Sequence, residues 1–201
     1  MHTDAEIRTP LPRPTGEIVV WTPQHDPALR DLMRAQMLMD PNWPPGYAYD
    51  MDLAKWLGLP ADINRWVATV EGEVCGHAGL GHVQPDDLGK QLFCAAGTDQ
   101  LAEICRMVVD PGYRGANLAA MLTRKAMRTS IEAGLVPIAK VLGNRGTWLI
   151  NMLKTGWRDV ARVEVGSPGE DYFGLLPPER CVEAALETRA LLAAQRGVSG
   201  G

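Results

Sequence analysis

Apolar positions along the chain recur with two different periods, and the switching between them predicts a mixed α/β domain. Gly16–Trp21, a short β-rich run, reads as a first strand, while Asp26–Met39 and the shorter Asp52–Leu57 read as helices. Between these two helices runs a proline and aromatic stretch, Pro41-Asn42-Trp43-Pro44-Pro45-Gly46-Tyr47. Arg65–Val70 and Val74–Val83 are β-rich runs on either side of Glu71-Gly72-Glu73, which predicts a hairpin. A strand over 104–109, a helix over 116–133 and a strand over Val136–Leu142 follow. A short helix, Thr147–Lys154, and a strand, Arg158–Val165, opened by Gly156-Trp157, come after them. The predicted order is β-α-α-β-β-β-α-β-α-β, a mixed layer rather than a doubly wound sheet. Pro177 to Gln195 reads as one more helix, with Pro177-Pro178 at its start, Glu179 in the first turn and Gly197 past its end. Its stripe of Val182, Ala185, Leu186 and Leu192 predicts packing back on the domain, with dimerisation as the second choice.

The most informative stretch is AEICRMVVDPGYRGANLAAML, residues 102–122. An apolar run from Ile104 to Val109 ends at Asp110-Pro111, and the turn Arg114-Gly115-Ala116-Asn117 then leads into an amphipathic helix. A strand feeding a turn onto a helix start leaves several backbone N–H groups unpaired and aimed at one spot. With the positive end of the helix dipole, they form a site suited to phosphate. A Walker A loop would need Gly-Lys followed by Ser or Thr, a triplet the chain lacks, and a dinucleotide fingerprint would need three glycines within six residues, whereas this turn has only Gly115 between Arg114 and Ala119. The turn resembles the acyl-CoA-binding turn of the GNAT N-acetyltransferase superfamily, Arg/Gln-x-x-Gly-x-Gly/Ala. Arg114 and Ala119 fill its outer positions, and Asn117 stands where the second motif glycine belongs. Asn accepts left-handed backbone angles better than other non-glycine residues, although its side chain narrows the space beside the phosphates. The resemblance covers most of residues 16–165, and WLINMLKTGWRDV is similar to the family's helix before a Gly-aromatic pair and its next strand.

The resemblance implies a GNAT fold, a central mixed sheet flanked by helices, with acetyl-CoA as co-substrate and no metal. It places the cofactor on Met107, Val108, Val109, Arg114, Gly115, Ala116, Asn117, Leu118 and Ala119, with Asn144 reaching the pantetheine amides or simply capping its loop. In this superfamily the strand before the phosphate turn splays from its neighbour at a bulge, and one strand N–H polarises the thioester oxygen. That role falls by resemblance on backbone groups of Met107 to Val109. The position of Glu103, eleven residues before Arg114, resembles that of the glutamate base in the histone-acetyltransferase branch. Period-two alternation puts Glu103 on one face with Cys105 and Met107, where a carboxylate can take a proton from an amine. The other reading is a glutamate at the start of the strand that faces solvent or an arginine. Many family members carry a Tyr four residues before the Gly-aromatic pair as general acid; here that position is Met152, which has no proton to give.

Composition narrows the partners. The chain has 201 residues, net charge −4 and 46% hydrophobic residues, which fits one domain with a full core and no basic face for nucleic acid. Residues 1–15 and 197–201 read as loose tails, 16–176 as the acyl-CoA-binding domain and 177–196 as its C-terminal helix. The polar, proline-rich start is expected to be neither a signal peptide nor an anchor, and no apolar run reaches a transmembrane length, so the cytoplasm is the expected location. Cys75, Cys94, Cys105 and Cys181 form no C-x-x-C pair, which argues against a zinc ribbon and a disulfide framework. His77 and His82 lie five residues apart on one predicted strand, hence on opposite faces, and cannot share a metal. Trp43, Tyr47, Tyr49 and Trp56 cluster around three prolines; Trp43 and Tyr47 are the candidates to wall an amine pocket, while Trp56 reads as helix core. Asp50 and Asp52 could draw an ammonium group, Asp52 doubling as a helix cap. The expectation is an N-acetyltransferase acting on the primary amine of a small molecule, as a monomer or homodimer without a nucleic-acid or membrane partner. The alternatives are a non-catalytic acyl-CoA-binding module and an acetyltransferase for protein N-termini or lysines.

Overall fold

The computed structural model describes residues 16–39, 62–113, 115–142, 146–164 and 171–198. Seven strands form one sheet: β1 (Gly16–Val20), β2 (Asn64–Val70), β3 (Glu73–His82), β4 (Leu101–Val109), β5 (Val136–Leu142), β6 (Arg158–Glu164) and β7 (Asp171–Leu176). Their order across the sheet is β1-β2-β3-β4-β5-β7-β6, antiparallel throughout except for the parallel pair β4–β5. Among the described residues five α-helices accompany them: α1 (Asp26–Met39), α2 (Asp87–Ala96), α3 (Leu118–Glu132), α4 (Gly146–Lys154) and α5 (Glu179–Val198). The β2–β3 hairpin turns through Glu71 and Gly72, both at positive φ, the pair of angles a tight two-residue hairpin demands.

Side-chain alternation divides the sheet into two faces. Trp66, Ala68, Ala78, Leu80, Ile104, Ala139, Val141 and Leu175 are buried with Leu118, Leu122 and Ala126 of α3, and α4 adds Met152 on the same side. On the opposite face Val67 and Val108 are buried with Leu29, Leu32 and Met33 of α1. Leu92 of α2 fills the space above Gly174 on β7, where an added Cβ would lie 3.0 Å from its Cγ. The α1 and α2 helices thus cover opposite ends of one face and leave β4 between them.

The structure departs from the sequence reading in several places. Helix α2 was not expected. Asp86 caps it by accepting from Gly89 N–H at 2.6 Å, and Gly97 closes it in the left-handed conformation, the standard pair of start and stop residues. Strand β4 begins at Leu101 rather than at residue 104, because it pairs from its first residues with the start of β5. Strand β7, also unexpected, inserts between β5 and β6. Helix α5 packs on α3 and β5 and runs on through Gly197, and Leu186 is 40% exposed, outside the buried stripe. The expected helix at 52–57 lies outside the described residues. No helix among the described residues is long and apolar enough to cross a membrane.

Candidate active site

Three backbone features converge at the C-terminal end of β4. The first is a bulge. His77 pairs with Val108 and Gly79 with Cys105, so one residue of β3, Ala78, faces two of β4, Arg106 and Met107. Arg106 takes φ 54 to make room. This corrects the expected alternation: Met107 packs with the α3-side core, while Val108 joins α1 on the face that carries Glu103 and Cys105. The second feature is a gap. Parallel pairing of β4 with β5 ends at Ile104–Ala139, after which β4 stays with β3 and β5 with β7. The strands therefore part, and the β4 backbone from Cys105 to Val109 lines one side of the opening. The third is the start of α3. Asn117 sits at φ 63, ψ 13, Gly115 at φ 86, and the Asn117 side chain makes no cap bond to the helix. Its first backbone bond runs from Met121 N–H to Asn117 C=O, so the amides of Leu118 to Ala120 precede any intrahelical acceptor. Asn117 adopts the left-handed angles its place in the motif requires.

His77 holds the bulge from below. Its ring is fully buried, and Nδ1 donates to the Arg106 carbonyl at 2.8 Å, which fixes the tautomer and leaves Nε2 without a partner among the described residues. Burial pushes its pKa down to about 4, only partly opposed by the bond to Arg106, so the ring is neutral across the physiological range.

Glu103 lies three rows below the bulge, paired with Gly81 on β3 and Ile138 on β5. Its side chain is only 15% exposed, with Lys140 Nζ 3.5 Å from Oε2. The same ammonium donates to Asp86 Oδ2 at 3.0 Å, so Glu103, Lys140 and the cap of α2 form one cluster. Burial raises the Glu103 carboxyl above its ordinary value, with Lys140 and Arg106 opposing, which makes it a better proton acceptor than an exposed carboxylate. The sequence reading missed both Lys140 and Asp86. A lone lysine inside the buried run VPIAKVL was the available signal, since lysine is seldom buried unpaired.

Other candidates separate from this cluster. Met152 is a core residue at 4% exposure, and its thioether has no proton to give. Cys75 donates to the Ala68 carbonyl at 3.3 Å, and burial pushes its thiol up to about 11. Burial raises Cys105 as well, so neither supplies a thiolate. His82 pairs instead with Asp62 at 3.0 Å on the exposed end of β3. Among the described residues no group of three His, Cys, Asp or Glu side chains is placed to hold a metal ion. Arg114, Asn144, Trp43, Tyr47, Tyr49, Asp50, Asp52 and Trp56 lie outside the described residues.

This architecture has known counterparts. The fold is similar to that of a ribosomal-protein-alanine N-acetyltransferase from Brucella melitensis, at 18% identity and TM-score 0.59, with 79% of this chain and 97% of that one covered. It is also similar to the ribosomal-protein-S18-alanine N-acetyltransferase from Escherichia coli, at 13% identity and TM-score 0.58, covering 82% and 94%. The structure of yncA from Salmonella typhimurium with its cofactor acetyl-CoA matches at 14% identity and TM-score 0.57, covering 80% and 92%. No curated protein matches the chain. The family model of the acetyltransferase (GNAT) family matches residues 27–157, a span that holds the bulge, the strand gap, Glu103 and the Asn117 turn, and the chain belongs to that family.

Proposed function

We propose that this acetyltransferase transfers an acetyl group from acetyl-CoA to the primary amine of a small molecule, with Glu103 as the general base. The observation that carries the reading is the placement of one largely buried carboxylate on β4, three rows below a bulge that opens the strand toward the start of α3. Gly115 to Ala119 and Arg114 would hold the pyrophosphate, where amides and the helix dipole suit an anion. Backbone groups of Met107 to Val109 would pair with the pantetheine arm in the β4–β5 gap, and Asn144 would add a contact to its amides.

Glu103 takes one proton from the acceptor ammonium, directly or through water, and the freed amine attacks the thioester carbonyl. A β4 N–H beyond the bulge stabilises the oxygen as negative charge develops, a contribution from fixed dipoles that side-chain identity does not reveal. The carbon–sulfur bond then breaks as the nitrogen gives up its remaining surplus proton to water. With Met152 in the acid position, the CoA sulfur leaves as thiolate or is protonated by water, which a thiol of moderate acidity permits. Trp43 and Tyr47 would form the acceptor wall. A second reading, transfer to a protein N-terminus, draws on the ribosomal-protein-alanine enzymes whose fold this chain shares.

Thermal unfolding with and without acetyl-CoA tests the donor site. Ligand at a hundred times its dissociation constant adds about 2.7 kcal/mol. For a chain of this size that moves Tm by roughly 5–10 °C. The shift is expected in the wild type and lost in Arg114→Glu; no shift at millimolar acetyl-CoA would refute the reading. Thiol release with small amines, compared with an alanine-starting peptide, then separates the two acceptor classes. Binding without release by any acceptor would mark a non-catalytic acyl-CoA-binding module instead.

A further inference from the structure

We propose that Lys140 is the positioning residue for Glu103, and that Asp86, through the same lysine, couples helix α2 to the strength of that base. This rests on the reading of Glu103 as the base. The three residues come from separate elements: Glu103 from β4, Lys140 from β5 and Asp86 from the cap of α2. Lys140 is 11% exposed, and its ammonium touches both carboxylates, at 3.0 Å to Asp86 Oδ2 and 3.5 Å to Glu103 Oε2. Asp86 divides its oxygens, Oδ1 accepting from Gly89 N–H at 2.6 Å and Oδ2 from Lys140. One cation is therefore shared between two anions, and whatever strengthens its hold on Asp86 weakens its hold on Glu103.

The packing keeps this arrangement in place. Opposite Lys140 on β7 stands Gly174, which contributes no side chain, and Leu92 of α2 fills the space above it. The position of α2 thus fixes where Asp86 sits over β5. Among the described residues, the charged or titratable groups facing Glu103 are Lys140, Asp86, Arg106 and the protonated Cys105 thiol; β3 brings only Gly81 to the paired position. Lys140 and Arg106 favour the carboxylate and Asp86 opposes it.

This circuit predicts opposite effects from its two outer members. Removing the ammonium with Lys140→Met leaves two carboxylates facing one another and raises the Glu103 midpoint. Asp86→Asn removes the competing anion, gives Lys140 wholly to Glu103 and lowers it. A neighbouring charge at this range moves a carboxyl by roughly one pH unit or more. The midpoint is read without turnover, by 13C NMR titration of protein labelled at the glutamate carboxyl carbon, with the Glu103 signal assigned by its absence in Glu103→Gln. Lys140→Gln, which also removes the charge but keeps a polar side chain, serves where Lys140→Met folds poorly and is expected to raise the midpoint likewise; Lys140→Arg, which keeps the charge, is the control expected near the wild-type midpoint. Opposite movements in the two variants support the proposal; movement in the same direction, or none, overturns it. Thiol release from acetyl-CoA with spermidine and an alanine-starting peptide as probes is the separate control. Turnover unchanged in Glu103→Gln would overturn the base itself, whereas turnover lost there with unmoved NMR midpoints would overturn only the role of Lys140.

Discussion

Acid should weaken this fold through one residue, His77. Its ring is fully buried, with one nitrogen bonded to the Arg106 carbonyl and the other facing no partner among the described residues. Burial lowers its pKa from the ordinary 6.5 to about 4, with Arg65 and Arg106 adding to the fall and the Arg106 carbonyl and Asp26 opposing it. The unfolded chain therefore binds a proton that the folded chain refuses. Stability is fully present above pH 6.5 and is lost as pH falls toward about 4, the direction required when the folded pKa lies below the unfolded one. Displacing a titration midpoint by one pH unit is worth about 1.36 kcal/mol, so the whole window contributes about 3 kcal/mol and the part lost by pH 5 about 2 kcal/mol. The assay is urea unfolding at pH 8 and pH 5, for the wild type and His77→Leu. The variant loses the bond to Arg106 and starts less stable at both pH values, but its own cost cancels when each protein is compared with itself across pH. Carboxylates elsewhere titrate alike in both proteins and cancel too. The wild type should lose about 2 kcal/mol more than the variant between pH 8 and pH 5. Parallel losses would refute the reasoning, because they would mean that the buried ring is not what refuses the proton.

Two further substitutions probe the elements that frame the site. Asn117 holds left-handed angles without a capping bond, so Asn117→Gly should keep both stability and acetyl-CoA affinity, while Asn117→Val should cost about 1–2 kcal/mol in urea unfolding. Equal stability of the two variants would argue that the turn relaxes out of that conformation. At Gly174 an added Cβ would sit 2.9 Å from the Cβ of Ala161 and 3.0 Å from Leu92, both buried, so Gly174→Ala should destabilise the fold by about 1–3 kcal/mol. A neutral or stabilising result, read by the same denaturation, would show that α2 is free to lift from the sheet.

The sequence disclosed those parts of the molecule whose signals are local. Helix α1 and strand β5 match their periodicity end to end, and the β2–β3 hairpin follows from its glycine turn, because in each case the pattern and its stop signals sit together. Helix α2 was overlooked although Asp86 and Gly97 bracket it, since Gly89 in its first turn weakens its propensity. That glycine is needed: a Cβ there would lie 2.0 Å from the Gln84 carbonyl oxygen, so close approach to the preceding loop outweighs helix propensity. Strand β7 is six residues that include Gly174, and its place between β5 and β6 is decided by pairing with residues far away in sequence. Lys140 and Asp86 were invisible as partners of Glu103 for the same reason, being 37 and 17 positions away from it on other elements.

The bulge at Arg106 explains how the donor and acceptor halves of the proposed site would share one strand. In a regular strand, Glu103 and Val108, an odd number of residues apart, would point to opposite faces. The extra residue cancels that, so Glu103, Cys105 and Val108 end on the α1 side while Met107 turns toward α3. One face of β4 then carries the carboxylate and its cluster, and the backbone beyond the bulge is turned into the gap that β5 leaves open. Regular alternation read from the sequence placed Met107 beside Glu103, and a single left-handed residue reverses that placement. His77 is the side chain that accepts this irregularity, since its Nδ1 satisfies the Arg106 carbonyl that the bulge turns inward at the β3–β4 seam. The buried ring that makes the fold sensitive to acid is therefore the same group that holds the strand in the shape its proposed chemistry requires.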